Sequence, residues 1–222
     1  MKTMWSILTE ENRHPTQDEL AEFYEEQAAG RPSDGWTPSN QHIDEKFGRT
    51  RFAIDYIFNS DKVLEVGCQD GGMSQHLSRA AGSGSLDLCD IAETYLKRAT
   101  KFLHDKGLQV RNCYLGDACF IDFGDTYDVI VAMEILEHVP DPRQLLRNLY
   151  KHLVHGGKIL VTVPVDWRDD LGEHLHNFTI NDLIQIIGES TGIKAPIWRE
   201  WDWFFSVIKK GSLKYESVAS SA

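Results

Sequence analysis

No run in this sequence approaches the roughly 20 consecutive apolar residues that a membrane-crossing helix needs. Residues 1–15 also lack a sustained apolar core and a small-residue cleavage site, so no signal peptide is expected. Cysteine is sparse: Cys68, Cys89, Cys113 and Cys119 form no CxxC pair. A reduced, cytoplasmic setting with free thiols is the plain reading. Positive charge is short too, with 23 Lys and Arg against 34 Asp and Glu and a net charge of −11. Such a chain repels nucleic acid phosphates overall, because that binding rests on Lys and Arg releasing counterions. Nucleic acid is therefore disfavoured as a partner, and small neutral or cationic substrates are favoured. The sequence holds no internal repeat and no low-complexity tract, and its oligomeric state is not legible.

What is present suits one α/β domain with a short extension, at 222 residues and 41% hydrophobic. Residues 1–59 read as an N-terminal helical cap or lid. Thr16-Gln17-Asp18-Glu19 is a capping box, followed by Leu20, Phe23 and Tyr24 on one apolar face. Residues 31–40 read as a loop, and a second helix is predicted over Asp44–Phe58. From 60 to 211 short apolar strands alternate with helices. Strands are predicted at Lys62–Val66, Ser85–Cys89, Val110–Leu115, Tyr127–Met133, Lys158–Val163, Ile197–Trp201 and Phe204–Lys209. Helices are predicted at Gly71–Ala81, Ala92–His104, Pro142–Leu153 and Thr179–Ser190, the last capped by Thr179 with Asp182. The pattern predicts a Rossmann-like α/β fold, a seven-stranded and mostly parallel sheet with helices on both faces. Residues 212–222 read as a disordered tail.

The strongest signal is Val63-Leu64-Glu65-Val66-Gly67-Cys68-Gln69-Asp70-Gly71-Gly72, a strand ending in a glycine turn that opens a helix. Alone it is also what a generic tight strand-to-helix turn looks like. It has company. Asp90 ends the second strand about 20 positions on, where an acid accepts from ribose hydroxyls. Gly116-Asp117-Ala118 follows the third strand. Each Asp alone reads equally as a cap or a solvated turn, but their joint placement after successive strands points to one ligand.

Residues 61–165 resemble the core of the class I S-adenosylmethionine-dependent methyltransferases. The resemblance rests on the glycine loop, Asp90, Gly116-Asp117-Ala118, the segment Tyr127–Pro142 and His155-Gly156-Gly157-Lys158-Ile159-Leu160-Val161. It implies that Glu65, Gly67, Cys68 and Gly71 surround the methionine part of S-adenosylmethionine. It implies further that Asp90 holds the ribose, Ile91 packs on the adenine, and Asp117 and Ala118 contact its edge. Met133 would lie near the donated methyl group. One departure stands out: the family's middle glycine is Gln69 here. A strict GxGxxG is missing, which argues against a nicotinamide dehydrogenase.

Methyl transfer is an in-line displacement that needs proximity and alignment, and a base when the acceptor is a hydroxyl. His138, just after the fourth strand, is the candidate base; packing or capping a turn is the competing role. If the segment after Met133 is helical, Glu134, Glu137 and His138 share one face. That set suits Mg²⁺, Mn²⁺ or Zn²⁺, with His176 preferred to His174 as a fourth ligand. Ubiquinone-biosynthesis O-methyltransferases and small-RNA 2′-O-methyltransferases resemble this arrangement. Ordinary ion pairs of these carboxylates with Arg143 or Arg147 are the competing reading. Aromatic residues Trp36, Trp167, Trp198, Trp201 and Trp203 are candidates for the acceptor pocket, and Phe204 for the core. The expected function is O-methylation of a small-molecule or glycan hydroxyl, with residues 166–178 and the N-terminal helices forming the acceptor lid. The alternatives are 2′-O-methylation of an RNA 3′ end and a non-catalytic S-adenosylmethionine-binding regulatory subunit.

Overall fold

Strands that are apolar on both faces pair most readily in parallel, with helices covering each side. The computed structural model shows this arrangement, and describes residue 7 and residues 13–30, 48–165 and 173–215. Seven strands form one sheet: β1 (Val63–Val66), β2 (Leu86–Asp90), β3 (Val110–Leu115), β4 (Tyr127–Met133), β5 (Leu153–Pro164), β6 (Ile197–Glu200) and β7 (Trp203–Lys209). Their order is β3-β2-β1-β4-β5-β7-β6. The pairings from β3 across to β5 are parallel, and β7 runs antiparallel to both β5 and β6. Among the described residues lie helices α1 (Gln17–Gly30), α2 (Arg49–Asp55), α3 (Ser74–Ala81), α4 (Glu93–Asp105), α5 (Pro142–Lys151) and α6 (Ile180–Thr191).

The period-2 alternation of β4 divides the core. Ile130 and Ala132 face the cluster that holds Leu145 and Leu149 of α5 and Leu183 and Ile187 of α6. Val129, Val131 and Met133 face Ala53 of α2, Leu77 of α3, and Leu96 and Leu103 of α4. β1 and β2 are buried along their whole length, whereas β3 is a partly exposed edge strand. The sheet reverses its winding between β1 and β4, so a crevice opens at the carboxyl ends of these strands.

Both capping boxes form. Thr16 N–H donates to Glu19 Oε2 at 2.8 Å, and Thr179 N–H to Asp182 Oδ2 at 2.8 Å. Helix α1 docks on α4, where Thr94 donates to Glu25 and Arg98 NH1 donates to the Ala28 carbonyl at 2.8 Å. The predicted second helix is shorter than expected, and residues 44–47 lie outside the described residues, as do Trp36 and Trp167. The chain does not stop packing at 211: Lys194 N–H donates to the Leu213 carbonyl at 2.9 Å, and Tyr215 N–H to the Gly192 carbonyl at 2.8 Å. Among the described residues, no helix is long and apolar enough to cross a membrane.

Candidate active site

The turn after β1 takes three left-handed residues, Gly67 (φ 76°), Gln69 (φ 45°) and Gly71 (φ 83°). Gly67 can have no side chain without strain, and a Cβ there would meet Ile135 Cδ1 at 3.2 Å. The turn is tied to the neighbouring strand. Gln69 N–H donates to Asp90 Oδ2 at 2.9 Å, and Ala92 N–H donates to Asp90 Oδ1 at 3.0 Å. Asp90 is buried at the end of β2, and burial pushes its carboxyl up to about 6 against the pull of those N–H donors. Gly116 N–H donates to the Asp90 carbonyl at 2.9 Å, so the third strand end is fixed to the same residue. Asp117 closes its own turn by accepting from Cys119 N–H at 2.8 Å.

These ends line one cleft with two halves. One half is bounded by Gly67, Gln69, Tyr95 and Glu173, the other by Val66, Gly116, Asp117, Ala118 and Val139. Tyr24, Asp90, Ile91 and His138 belong to both. Each Asp90 oxygen accepts one backbone N–H in the described network, and a carboxylate oxygen has a second lone pair for a ligand hydroxyl. Ile91 and Ala118 supply apolar wall for a planar base. The donors, acceptors and apolar walls thus fit an adenosyl group.

Gly67, Asp90, Ile91, Asp117 and Ala118 line the described cleft, and the other four expected cofactor residues are buried at its base. Glu65 is buried beneath the turn, takes the Ser74 hydroxyl at 2.5 Å, and is pushed up to about 8 by burial. The Cys68 thiol is buried, which raises it well above its ordinary range. Gly71 faces α4, where a Cβ would lie 3.0 Å from Ala99 Cα. Met133 packs in the core cluster that also holds Cys68.

The segment after β4 departs from the helical expectation. Glu134 has φ 50°, and only Leu136–His138 forms a short 3₁₀ turn. Glu134 is thereby turned away from Glu137 and His138: it accepts from Thr162 Oγ1 at 2.9 Å and Trp203 Nε1 at 2.9 Å, with Arg49 NH1 at 3.5 Å. Arg143 pairs instead with Glu189, and Arg147 with Asp141. His176 Nε2 meets the Val139 carbonyl at 2.9 Å, and burial lowers its imidazole. The three groups that do converge are Glu137, His138 and His174, with ligand atoms within 4.8 Å of one another. Both Glu137 carboxylate oxygens are buried without a hydrogen-bond partner among the described residues. Burial and the charge of Glu134 drive that carboxyl well above its usual range.

Tyr24 and Glu173 belong to the segments expected to form the acceptor lid, whereas nothing in the sequence pointed to Tyr95 at the cleft. The capping box at Thr16 places Leu20 and Tyr24 on one helix face, but sequence spacing cannot bring Tyr24 to a histidine 114 residues away.

Residues 64–159 match the family model described as a methyltransferase domain. This match spans less than half of the chain, and the sheet order with a cleft at its switch point agrees with the likeness of residues 64–159 to a methyltransferase domain. Among curated relatives, a ubiquinone biosynthesis O-methyltransferase of Idiomarina loihiensis is 34% identical over 99 residues, 44% of this chain and 40% of the relative. Another of that name, from Parvibaculum lavamentivorans, is 26% identical over 146 residues, 64% of this chain and 56% of the relative. The chain therefore spans about half or less of the length of these relatives. In fold it is similar to the N-methyltransferase NodS of Bradyrhizobium japonicum solved with S-adenosyl-l-homocysteine, with TM-score 0.64 and 18% identity over 87% of this chain and 100% of that one.

Proposed function

We propose that the protein transfers a methyl group from S-adenosylmethionine to a hydroxyl of a small molecule or glycan, in the cytoplasm. The observation that carries this reading is the convergence of Gly67, Asp90, Ile91 and Asp117 on one cleft with His138 in its wall. When bound, S-adenosylmethionine supplies an electrophilic methyl group. Asp90 would accept from its ribose hydroxyls, the Gly67–Gln69 backbone would allow close approach of its amino acid end, and Ile91 and Ala118 would sandwich its base. His138 would take the acceptor's proton as the carbon–oxygen bond forms. Transfer to oxygen is supported by the names of the curated relatives. The net charge of −11 weighs against an RNA acceptor.

The test pairs calorimetry with a methyl-release assay across phenol, catechol and sugar acceptors. His138→Ala is expected to lower turnover about 10²–10⁴-fold while leaving S-adenosylmethionine affinity within about twofold of wild type. Full activity in that variant would remove His138 as base. Binding without turnover of any acceptor would favour a regulatory subunit.

A second reading has its own support. The buried Glu137 carboxylate, which accepts no hydrogen bond from the described residues and lies 3.8 Å from His138 Nε2, forms with the His138 and His174 imidazoles the donor set of a divalent cation site. A cation held there would lower the pKa of an acceptor hydroxyl. Activity that is lost with a chelator and restored by Mg²⁺, Mn²⁺ or Zn²⁺ in the wild type but not in His174→Ala would establish it.

A further inference from the structure

Helix α5 has an apolar face and, beside it, a row of polar side chains four residues apart. Leu145, Leu146 and Leu149 are buried in the core. Gln144, Asn148 and His152 follow one another at i, i+4 and i+8, which sets them on one face of the helix and its carboxyl cap. All three meet the segment after β3. Gln144 Nε2 donates to the Cys119 carbonyl at 3.1 Å. Asn148 Nδ2 donates to the Ala118 carbonyl at 2.9 Å and to the Ile121 carbonyl at 2.8 Å. His152 Nε2 lies 3.1 Å from Asp122 Oδ1. An amide nitrogen carries two hydrogens, so Asn148 gives both to this one segment.

The Asn148 contact reaches the cleft through one peptide group. The Ala118 carbonyl that Asn148 holds shares a rigid plane with the Cys119 N–H. That N–H donates to Asp117 Oδ1 at 2.8 Å. The peptide is thus bonded at both ends, and the helix sets the direction from which the Asp117 carboxylate is held. The Asp117 carbonyl tightens the same turn, accepting from Phe120 N–H at 3.0 Å and Ile121 N–H at 3.1 Å. Asp117 and Ala118 line the cleft, so the tie that starts on α5 ends at the cleft wall.

We propose that Asn148 is a positioning residue which, through the Ala118–Cys119 peptide, fixes Asp117 for the exocyclic amine of adenine and so sets the preference for adenine over a base without that amine. This rests on the reading of the cleft as an S-adenosylmethionine site, and not on which acceptor is methylated. The competing role is plain polar satisfaction: a loop packed on a helix must pair its carbonyls, whatever the loop does. Loss of the bonds would then lower stability and leave base preference alone.

Calorimetry on the full chain tests this with two ligands, S-adenosylhomocysteine and S-inosylhomocysteine, in which a carbonyl replaces the exocyclic amine. The wild type is expected to bind the adenine ligand at least about tenfold more tightly, because a carboxylate placed to accept from an amine repels a carbonyl. Asn148→Asp keeps the shape and removes both donated hydrogens. It is expected to weaken S-adenosylhomocysteine about tenfold and S-inosylhomocysteine by no more than about twofold, so that the preference falls toward one. Asn148→Ala should give the same collapse, and it keeps the proposal testable if the aspartate variant does not fold. Lys210→Met is the comparison. It strips the Nζ ties to the carbonyls of Tyr150, Lys151 and Leu153 at the carboxyl end of α5, and should lower Tm while keeping the wild-type preference. An unmoved preference in the Asn148 variants, an equal weakening of both ligands, or an equal collapse in Lys210→Met would overturn the proposal. So would a wild type that binds both ligands alike. A wild type that binds neither ligand ends the cofactor reading itself, whereas tight S-adenosylhomocysteine binding with an unmoved preference ends only the role of Asn148.

Discussion

At Gln69 the sequence places a side chain where the backbone is left-handed, at φ 45°. That conformation costs a non-glycine residue roughly 1–2 kcal/mol. The N–H of the same residue donates to buried Asp90, so the strain is held by the bond that ties the β1 turn to β2. Glu65, four residues earlier, shows a different balance. Its carboxyl is pushed up to about 8 by burial and accepts the Ser74 hydroxyl. A carboxyl raised in the folded state binds its proton more tightly there than in the unfolded chain. Folded stability should therefore fall as pH rises from about 4.5 to 8, at a slope nearing 1.4 kcal/mol per pH unit from this group. Glu65→Gln removes the titration and keeps the shape. The stability of that variant relative to wild type, measured by urea unfolding from pH 5 to 9, should climb with pH and level off above 8. A flat difference would mean that Glu65 stays ionised throughout. Gly67 and Asp90 were legible as single residues because a strand end, a tight turn and an acid at fixed spacing permit few structures. The burial of Glu65 and Met133 was not legible, since the same spacing is consistent with either face.

Elements are held by buried polar ties as well as by apolar packing. Asp87 of β2 is fully buried and accepts from Arg111 Nε at 2.9 Å and from the Tyr127 hydroxyl at 2.8 Å, which joins β2, β3 and β4 at their amino ends. Arg111 reaches on to Asp125 at 2.7 Å, and Lys62 Nζ meets the same Asp125 at 2.8 Å. Removing the central acid leaves the guanidinium and the hydroxyl without their shared partner. Asp87→Ala should cost about 3–5 kcal/mol in chemical denaturation. The loss should leave S-adenosylmethionine affinity per folded molecule unchanged, because the tie lies at the far end of the sheet from the cleft. A cost below about 1 kcal/mol would mean the three strands are registered by packing alone. At this scale the sequence was informative about strands: hydrophobic runs bounded by turns placed all seven, and the Thr179–Asp182 pair marked the start of α6. It misled after β4. Glu134, Glu137 and His138 have helical spacing, but Glu134 takes a left-handed turn toward Thr162 and Trp203. Those partners come from β5 and β7, and no local pattern announces a contact made across the sheet. The shift from His176 to His174 in the acid–imidazole cluster has the same origin, because the Val139 carbonyl claims His176.

Across the described residues, strands β1, β2 and β3 end at one crevice, and α1, which precedes them in the sequence, borders it through Leu20 and Tyr24. The groups assigned to the cofactor come from the three loops after β1, β2 and β3, so a ligand bound there links loops that the bare fold connects mainly through Asp90. A ligand that binds only the folded state stabilises it by RT ln(1 + [L]/Kd), which is about 2.7 kcal/mol at a concentration of 100 Kd. For a domain of this size, that corresponds to a rise in Tm of roughly 5–10 °C. S-adenosylhomocysteine should produce such a rise in the wild type. Asp90→Asn removes the charge that ribose hydroxyls would meet and keeps an acceptor for only one of the two backbone ties. A loss of about tenfold in affinity would halve the ligand's stabilisation at the same concentration. The two effects differ in kind: weakened loop ties lower Tm with and without ligand, whereas weakened binding narrows the gap between the two. Differential scanning fluorimetry of both proteins over a ligand series measures each separately. A wild-type Tm that does not move with saturating S-adenosylhomocysteine would mean that the crevice is not a cofactor site, and an unchanged gap in Asp90→Asn would mean that the ribose is held elsewhere.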